Sequence, residues 1–296
     1  NGQNLTSYPQ VLYNRYDRSK VTFKADVTSQ INFHNQIKAG ISYTRHNIDI
    51  NSLQSELGGA GKVYPTSKFH VNFLDFNPQE IAAYIQDKVE YEGLIFNIGL
   101  RVDGFNNDTE RFINDFNPTR VIRDADNELE VIEVLRGEDV GYKFYLSPRI
   151  GVSHPVTDNF AMHYSFGRFF QYPNYATLYT DYNFTDYAQP TNFSVRPDQD
   201  PIRSINYEIG GQYAISSNLL LTGTAYYRDV QNTGRRTFTV STGDGAPLNL
   251  STTWGYSDAR GIEIELSKRP GRWWGGRLSY AFSYIKVAGG AGTSDV

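Results

Sequence analysis

The chain has 296 residues, of which 39% are hydrophobic, 15% aromatic and 20% charged, with a net charge of −4. That balance is too aromatic for a disordered chain and has no basic excess for non-specific nucleic-acid binding. No run of roughly 18 apolar residues offers a transmembrane helix, and the absence of cysteine removes any thiol nucleophile, disulfide or cysteine-held metal.

The chain opens on Asn1 with no charged-then-apolar leader and closes on small, polar residues from Gly289, so it reads as a fragment. Period-two alternation then dominates and predicts ten strands. The first two cover about 21–29 and 36–49, joined by the short link Gln30–Asn35. A long link, 50–79, carries the loop-tip sequence Gly58-Gly-Ala-Gly61. Strands at 80–91 and 94–105 flank the turn dipeptide Glu92-Gly93. In the second of these, Leu94, Phe96, Ile98, Leu100 and Val102 oppose Ile95, Asn97, Gly99, Arg101 and Asp103.

The next long link, 106–141, contains Asp124-Ala-Asp126-Asn127-Glu128. This lacks the sixth-position glycine and twelfth-position glutamate of a calcium loop and reads as a solvated loop. Strands at 142–153 and 159–169 follow around the short link His154–Asp158; Phe160, Met162, Tyr164 and Phe166 oppose Ala161, His163, Ser165 and Gly167. After the long link 170–202 come strands at 203–215 and 219–231, joined through Ser216–Asn218. After 232–254 come strands at 255–268 and 275–287, joined through Arg269–Trp274.

Short and long links alternate, so in an antiparallel meander all short links lie at one end and all long links at the other. Many of the strands run longer than the ~5–6 residues usual in soluble sheets, and a tilted strand needs about 9–11 residues to cross a bilayer. Charge is segregated as well: Lys24, Asp26, Arg101, Asp103, Glu208, Glu263, Glu265 and Arg277 all lie opposite the apolar faces. The pattern predicts an all-β, antiparallel up-and-down transmembrane β-barrel with a lipid-facing exterior and a wet interior. Trp273 and Trp274, beside a short turn, fit an aromatic girdle. Two positions resist the pattern. Asp87 falls on an apolar face, and strand 219–231 does not declare which face is which.

Several segments resemble the TonB-dependent outer-membrane receptors. They are Leu146-Ser-Pro-Arg-Ile-Gly-Val152 with Thr157-Asp-Asn-Phe160, Tyr164-Ser-Phe-Gly-Arg-Phe-Phe170 with Pro173-Asn-Tyr-Ala-Thr-Leu-Tyr179, and Tyr207-Glu-Ile-Gly210 after Arg196-Pro-Asp-Gln-Asp-Pro201. Ala259-Arg-Gly-Ile-Glu-Ile-Glu-Leu266, Tyr84-Ile-Gln-Asp-Lys88 and Gly99-Leu-Arg-Val-Asp103 add to them. Arg196, Gln199 and Ile202 depart from the family's pattern. The flavour resembles the branch with a carboxypeptidase-regulatory-like domain before its plug. The resemblance implies a 22-stranded barrel filled by an N-terminal plug. Residues 1–296 would then be a partial barrel domain of about ten strands, with plug and C-terminal strands lying outside it.

What the resemblance implies for function is TonB-energised uptake of a scarce or bulky nutrient (siderophore, glycan, peptide or vitamin) across the outer membrane of a Gram-negative bacterium. Implied partners are outer-membrane lipid, the chain's own plug, the TonB complex acting through that plug, and an unknown extracellular nutrient; no nucleic acid and no cofactor are expected. A passive porin, a barrel enzyme and a soluble all-β binding protein are the alternatives. For an enzyme, His163 and Ser165 share a polar face, but same-face neighbours stand ~7 Å apart and no orienting acid is identifiable. The five histidines have no ligand spacing. The expected ligand contacts are therefore aromatic: Tyr172, Tyr175, Tyr179 and Tyr182, in the loop beyond strand 159–169. The same rings could instead pack that loop onto the barrel rim.

Overall fold

The computed structural model describes residues 11–56, 68–112, 119–123, 130–134, 136–172, 174–180, 193–195, 199–241, 247–271 and 273–288. Tyr182, Gly58–Gly61 and Asp124–Glu128 lie outside the described residues. In chain order the strands are β1 (Val11–Gln30), β2 (Asn35–Glu56), β3 (Lys68–Phe76), β4 (Gln79–Tyr91), β5 (Leu94–Asn106), β6 (Glu110–Phe112), β7 (Thr119–Arg123), β8 (Glu130–Val134), β9 (Arg136–Asp139), β10 (Lys143–Thr157), β11 (Phe160–Gln171), β12 (Phe193–Val195), β13 (Ile202–Ser216), β14 (Leu219–Ser241), β15 (Pro247–Lys268) and β16 (Gly276–Ala288). One short helix, α1 (Tyr175–Thr180), precedes β12.

Ten of these strands make one antiparallel meander, in the order β1-β2-β4-β5-β10-β11-β13-β14-β15-β16. They are the ten that the alternation predicts. The turn after β4 shows why its sequence folds tightly. Glu92 and Gly93 both take positive φ, 47° and 84°, the two-residue geometry whose twist matches that of the flanking strands.

The long links are shorter than expected. β14 runs on to Ser241 and β15 begins at Pro247, because Gly234–Ser241 pairs with Pro247–Trp254 beyond a bulge at Gln231/Gly234. Asn232 (φ 62°) and Gly255 (φ 104°) absorb that bulge. β3 pairs with the distal half of β2, from Ile48 to Glu56. Within the expected link 106–141, β6 pairs with β9 and β7 with β8.

Registry settles the faces of β14. Leu221 lies opposite Tyr213 and Leu266, Ala225 opposite Ile209 and Ile262, and Tyr227 opposite Tyr207. Its odd-numbered residues therefore extend the apolar face, and Thr222, Thr224 and Tyr226 join the polar one.

The apolar face is uncovered. Phe23 is 66% exposed, Ile41 64% and Leu278 71%. A contiguous wall of this kind far exceeds the few hundred Å² that a soluble monomer exposes; lipid is the solvent that suits it. Buried hydrophobic residues, by contrast, are few among those described. Ile48, Ile50, Phe76, Phe105, Tyr175, Leu178 and Tyr179 form one cluster at the long-link end.

One row of register partners crosses the whole meander: Ser29, Ile37, Asp87, Ile98, Ile150, Phe166, Tyr207, Tyr227, Arg260, Tyr284. It begins one residue from the end of β1 and finishes eight residues into β16. A climb of about seven residues over nine strand steps inclines the strands by roughly 30°, close to the ~35–45° of transmembrane barrels. Asp87 sits in this row between Ile37 and Ile98, as the alternation anticipates, and its Oδ1 is buried without a hydrogen bond.

Candidate functional site

The polar face is an ordered array of charges. Lys24 Nζ stands 2.9 Å from Asp26 Oδ2, and Tyr84 donates to Asp26 Oδ1 at 2.8 Å. Arg101 pairs with Asp103 at 2.6 Å and Arg277 with Glu265 at 3.2 Å. His163 Nε2 lies 3.3 Å from Glu208 Oε1. Alternation puts i and i+2 residues on one face, which is why Lys24–Asp26 and Arg101–Asp103 meet within a single strand. A shallow concavity of about 680 Å³ opens on this face, lined in part by Lys38, Gln86, Asn97, Arg149, Ser165 and Asn206.

No hydrolytic constellation is present among the described residues. His163 is engaged by Glu208, and no hydrogen bond joins it to Ser165. Nor does any group of three or more His, Asp or Glu side chains come together among the described residues in a way that could hold a metal.

The second feature is the aromatic segment after β11. Tyr172, Tyr175 and Tyr179 do come together, on the inner side of the wall at its long-link end. Tyr179 stacks on Phe76 with ring centroids 4.0 Å apart, and Tyr172 stacks on Phe105 at 4.5 Å. Tyr175 is tilted against His46 at 4.8 Å, with the Arg18 guanidinium 4.9 Å from its ring centroid. Tyr175 and Tyr179 are buried, whereas Tyr172 keeps partial exposure.

Hydrogen bonds fix the docking. The Tyr175 hydroxyl donates to Glu80 Oε1, and the Tyr179 hydroxyl to the Asn107 carbonyl. Glu80 also meets His46 Nε2 at 3.1 Å, and Arg18 meets His46 Nδ1 at 3.1 Å. Burial, reinforced by the Glu80 carboxylate, pushes the Tyr175 phenol far above its ordinary range. Burial raises Tyr172 as well, and its hydroxyl has no hydrogen-bond partner among the described residues.

Sequence reading selects the tyrosines but misses their receptors: Arg18, His46, Glu80, Phe76 and Phe105. The available signal is alternation. His46, Ile48 and Ile50 continue the polar-face positions of β2 and turn apolar at the end of the expected span.

Comparisons with known proteins agree with this architecture. The family model described as "TonB dependent receptor-like, beta-barrel" matches residues 1–296. Among solved structures, the copper transporter OprC is similar at 13% identity and a TM-score of 0.59, covering 93% of this chain and 39% of that one. The ferric-catecholate import receptor Fiu from E. coli K12 matches at 17% identity and TM-score 0.54 (93% and 39% covered). The ferric yersiniabactin uptake receptor FyuA from Yersinia pestis matches at 12% and 0.57 (95% and 37% covered). The chain thus spans somewhat over a third of the length of these structures. No curated protein matches it. A meander of ten tilted strands, an uncovered apolar face, a charged inner face and a family model spanning the whole sequence lead to one assignment: the chain belongs to the TonB-dependent receptor β-barrel family of the Gram-negative outer membrane.

Proposed function

We propose that this chain forms part of the wall and outer mouth of a receptor that imports a scarce or bulky nutrient with energy relayed by TonB through a plug. The remaining strands and the plug would come from the rest of the polypeptide. The observation that carries this reading is the mouth itself. An aromatic segment is docked on the inner wall by Tyr175–Glu80 and Tyr179–Asn107, an arrangement suited to selective entry and not to an open pore. The expected ligand contacts Tyr172 and Tyr182, the latter outside the described residues, keep that role in this reading, whereas Tyr175 and Tyr179, buried with their hydroxyls engaged by Glu80 and Asn107, hold the segment in place. Tyr172 is the best placed of the three described, being partly exposed with an unsatisfied hydroxyl. Siderophores are the first class to test, since the similar structures include an iron transporter, a ferric-catecholate import receptor and a ferric yersiniabactin uptake receptor.

The test is uptake by cells carrying the complete receptor, using a panel of radiolabelled ferric siderophores, cobalamin, oligosaccharides and peptides. Accumulation of one member that stops when TonB is deleted is expected. Uptake that survives TonB deletion, together with steady open-channel conductance in planar bilayers, would establish a passive porin instead.

A further inference from the structure

His46 is held at both ring nitrogens by partners that make opposite demands. Its Nδ1 stands 3.1 Å from Arg18 Nη2, and its Nε2 3.1 Å from Glu80 Oε1. A guanidinium only donates, so Nδ1 offers its lone pair; a carboxylate accepts, so Nε2 carries the proton. The imidazole is therefore neutral, in the one tautomer its neighbours allow. A second proton would sit on Nδ1, turn an N–H against the Arg18 guanidinium and set two cations side by side.

The ring is confined. Its side chain is 3% exposed, its backbone N–H donates to the Pro78 carbonyl at 2.9 Å, and the Tyr175 ring lies against it. The titratable and charged groups around it are Arg18 and Lys20 from β1, Glu80 from β4 and Tyr175 from α1. Lys20 is its register partner and adds a second like charge. His46 is the twelfth residue of β2, beyond the about 9–11 that cross a bilayer. It faces the outer mouth, where the surrounding medium sets the pH. Burial, more than any neighbour, holds its pKa below the ordinary 6.5.

The same ring is the hub on which the mouth segment docks. The Arg18 guanidinium lies 4.9 Å from the Tyr175 centroid, and the Tyr175 hydroxyl donates to the Glu80 oxygen that His46 also meets. Among the described residues, the one hydrogen bond that fixes Arg18 over Tyr175 is the bond to His46.

We propose that His46 is an acid-operated latch on the mouth segment. When the outside medium acidifies, a proton taken up at Nδ1 expels Arg18 from His46 and from the Tyr175 ring, and α1 loosens from the inner wall. Because the docked pKa is depressed, docking is complete above pH ~6.5 and weakens as the pH falls below it. The latch is independent of which nutrient is imported and of how import is energised.

The test is hydrogen exchange across α1 in the complete receptor in lipid vesicles, with each rate divided by the intrinsic rate at the same pH. Between pH ~7.5 and pH ~5.5, protection of α1 in wild type should fall several-fold, by about tenfold at most because the lower value lies one unit below 6.5. Amides of β10 and β11 should not change. Glutamine can accept from Arg18 and donate to Glu80 but does not titrate, so His46→Gln should protect α1 equally at both pH values. Arg18→Gln removes the cation to be expelled; it should start less protected than wild type and lose less on acidification. Unchanged wild-type protection would overturn the proposal, as would a loss in His46→Gln equal to that of wild type. If His46→Gln leaves α1 unprotected at both pH values, Arg18→Gln decides: a reduced loss supports the latch, and a loss as large as wild type overturns it.

Discussion

Tyr84 lies across Gly40 of the neighbouring strand: its ring would come within 2.5 Å of a Cβ built on that glycine, and its hydroxyl reaches Asp26 Oδ1 beyond. Gly40 is register partner to both Asp26 and Tyr84. The missing side chain is what allows a phenol from β4 to bond a carboxylate on β1 across the full width of β2.

That geometry makes Gly40→Ala costly. Its Cβ would meet Asp26 Oδ1 at 2.3 Å as well as the ring, and overpacking of this kind costs about 1–3 kcal/mol. Denaturant unfolding from lipid vesicles should show the loss. Adding Tyr84→Ala should recover part of it, so a double-mutant cycle should be clearly non-additive; additive costs would count against the contact.

Replacing Tyr175 by Phe should loosen the mouth segment by about 1.5–3 kcal/mol, the worth of a hydrogen bond to a charged acceptor. Limited proteolysis or hydrogen exchange across α1 reads this directly. The same phenol has a pH signature. Its folded pKa is raised above the ordinary 10.0, so its contribution is complete below pH ~10 and is lost as pH rises further. Protection of α1 in wild type should therefore be flat through neutral pH and decline above pH ~10, with a smaller decline in the Phe variant.

The two faces should respond oppositely to a cation. Ile262 lies between Ala225 and Phe282 on the apolar face, so Ile262→Arg should cost about 2–4 kcal/mol in a bilayer. Thr224→Arg, on the inner face opposite Glu263, should change stability by less than about 1 kcal/mol. Unfolding titrations in the same vesicles compare them. A similar cost at both sites would contradict the assignment of faces.

The turn offers a gain. Glu92 adopts φ 47°, which asparagine tolerates better than glutamate. Glu92→Asn should stabilise the β4–β5 hairpin by part of the roughly 1–2 kcal/mol that the left-handed conformation costs, visible as a higher denaturant midpoint with unchanged slope.

The strands were legible because their information is local. Alternation in Leu94–Val102 or Phe160–Phe166 requires only neighbours two residues apart, and Glu92-Gly93 states its own turn. The extent of β14 and β15 beyond residue 231 was not legible, since a bulge at Asn232 and Gly255 shifts the period there. The mouth was half legible. Its tyrosines stood out, but Glu80 lies 95 residues from Tyr175 and 34 from His46, and no local pattern encodes a contact at that distance.

By itself, then, the sequence determined the strands, their alternating link lengths and the chemistry of most faces, because a pleated strand sorts its side chains with period two. Only the tertiary structure decided which face of Leu219–Tyr227 meets lipid, since Leu-Leu-Leu and Thr-Gly-Thr have no period of their own and inherit one from Tyr213, Ile209 and Tyr207 across the ladder. It likewise decided that Tyr175 and Tyr179 lie buried against β2, β3 and β5, because burial depends on what the chain brings from elsewhere to cover a ring.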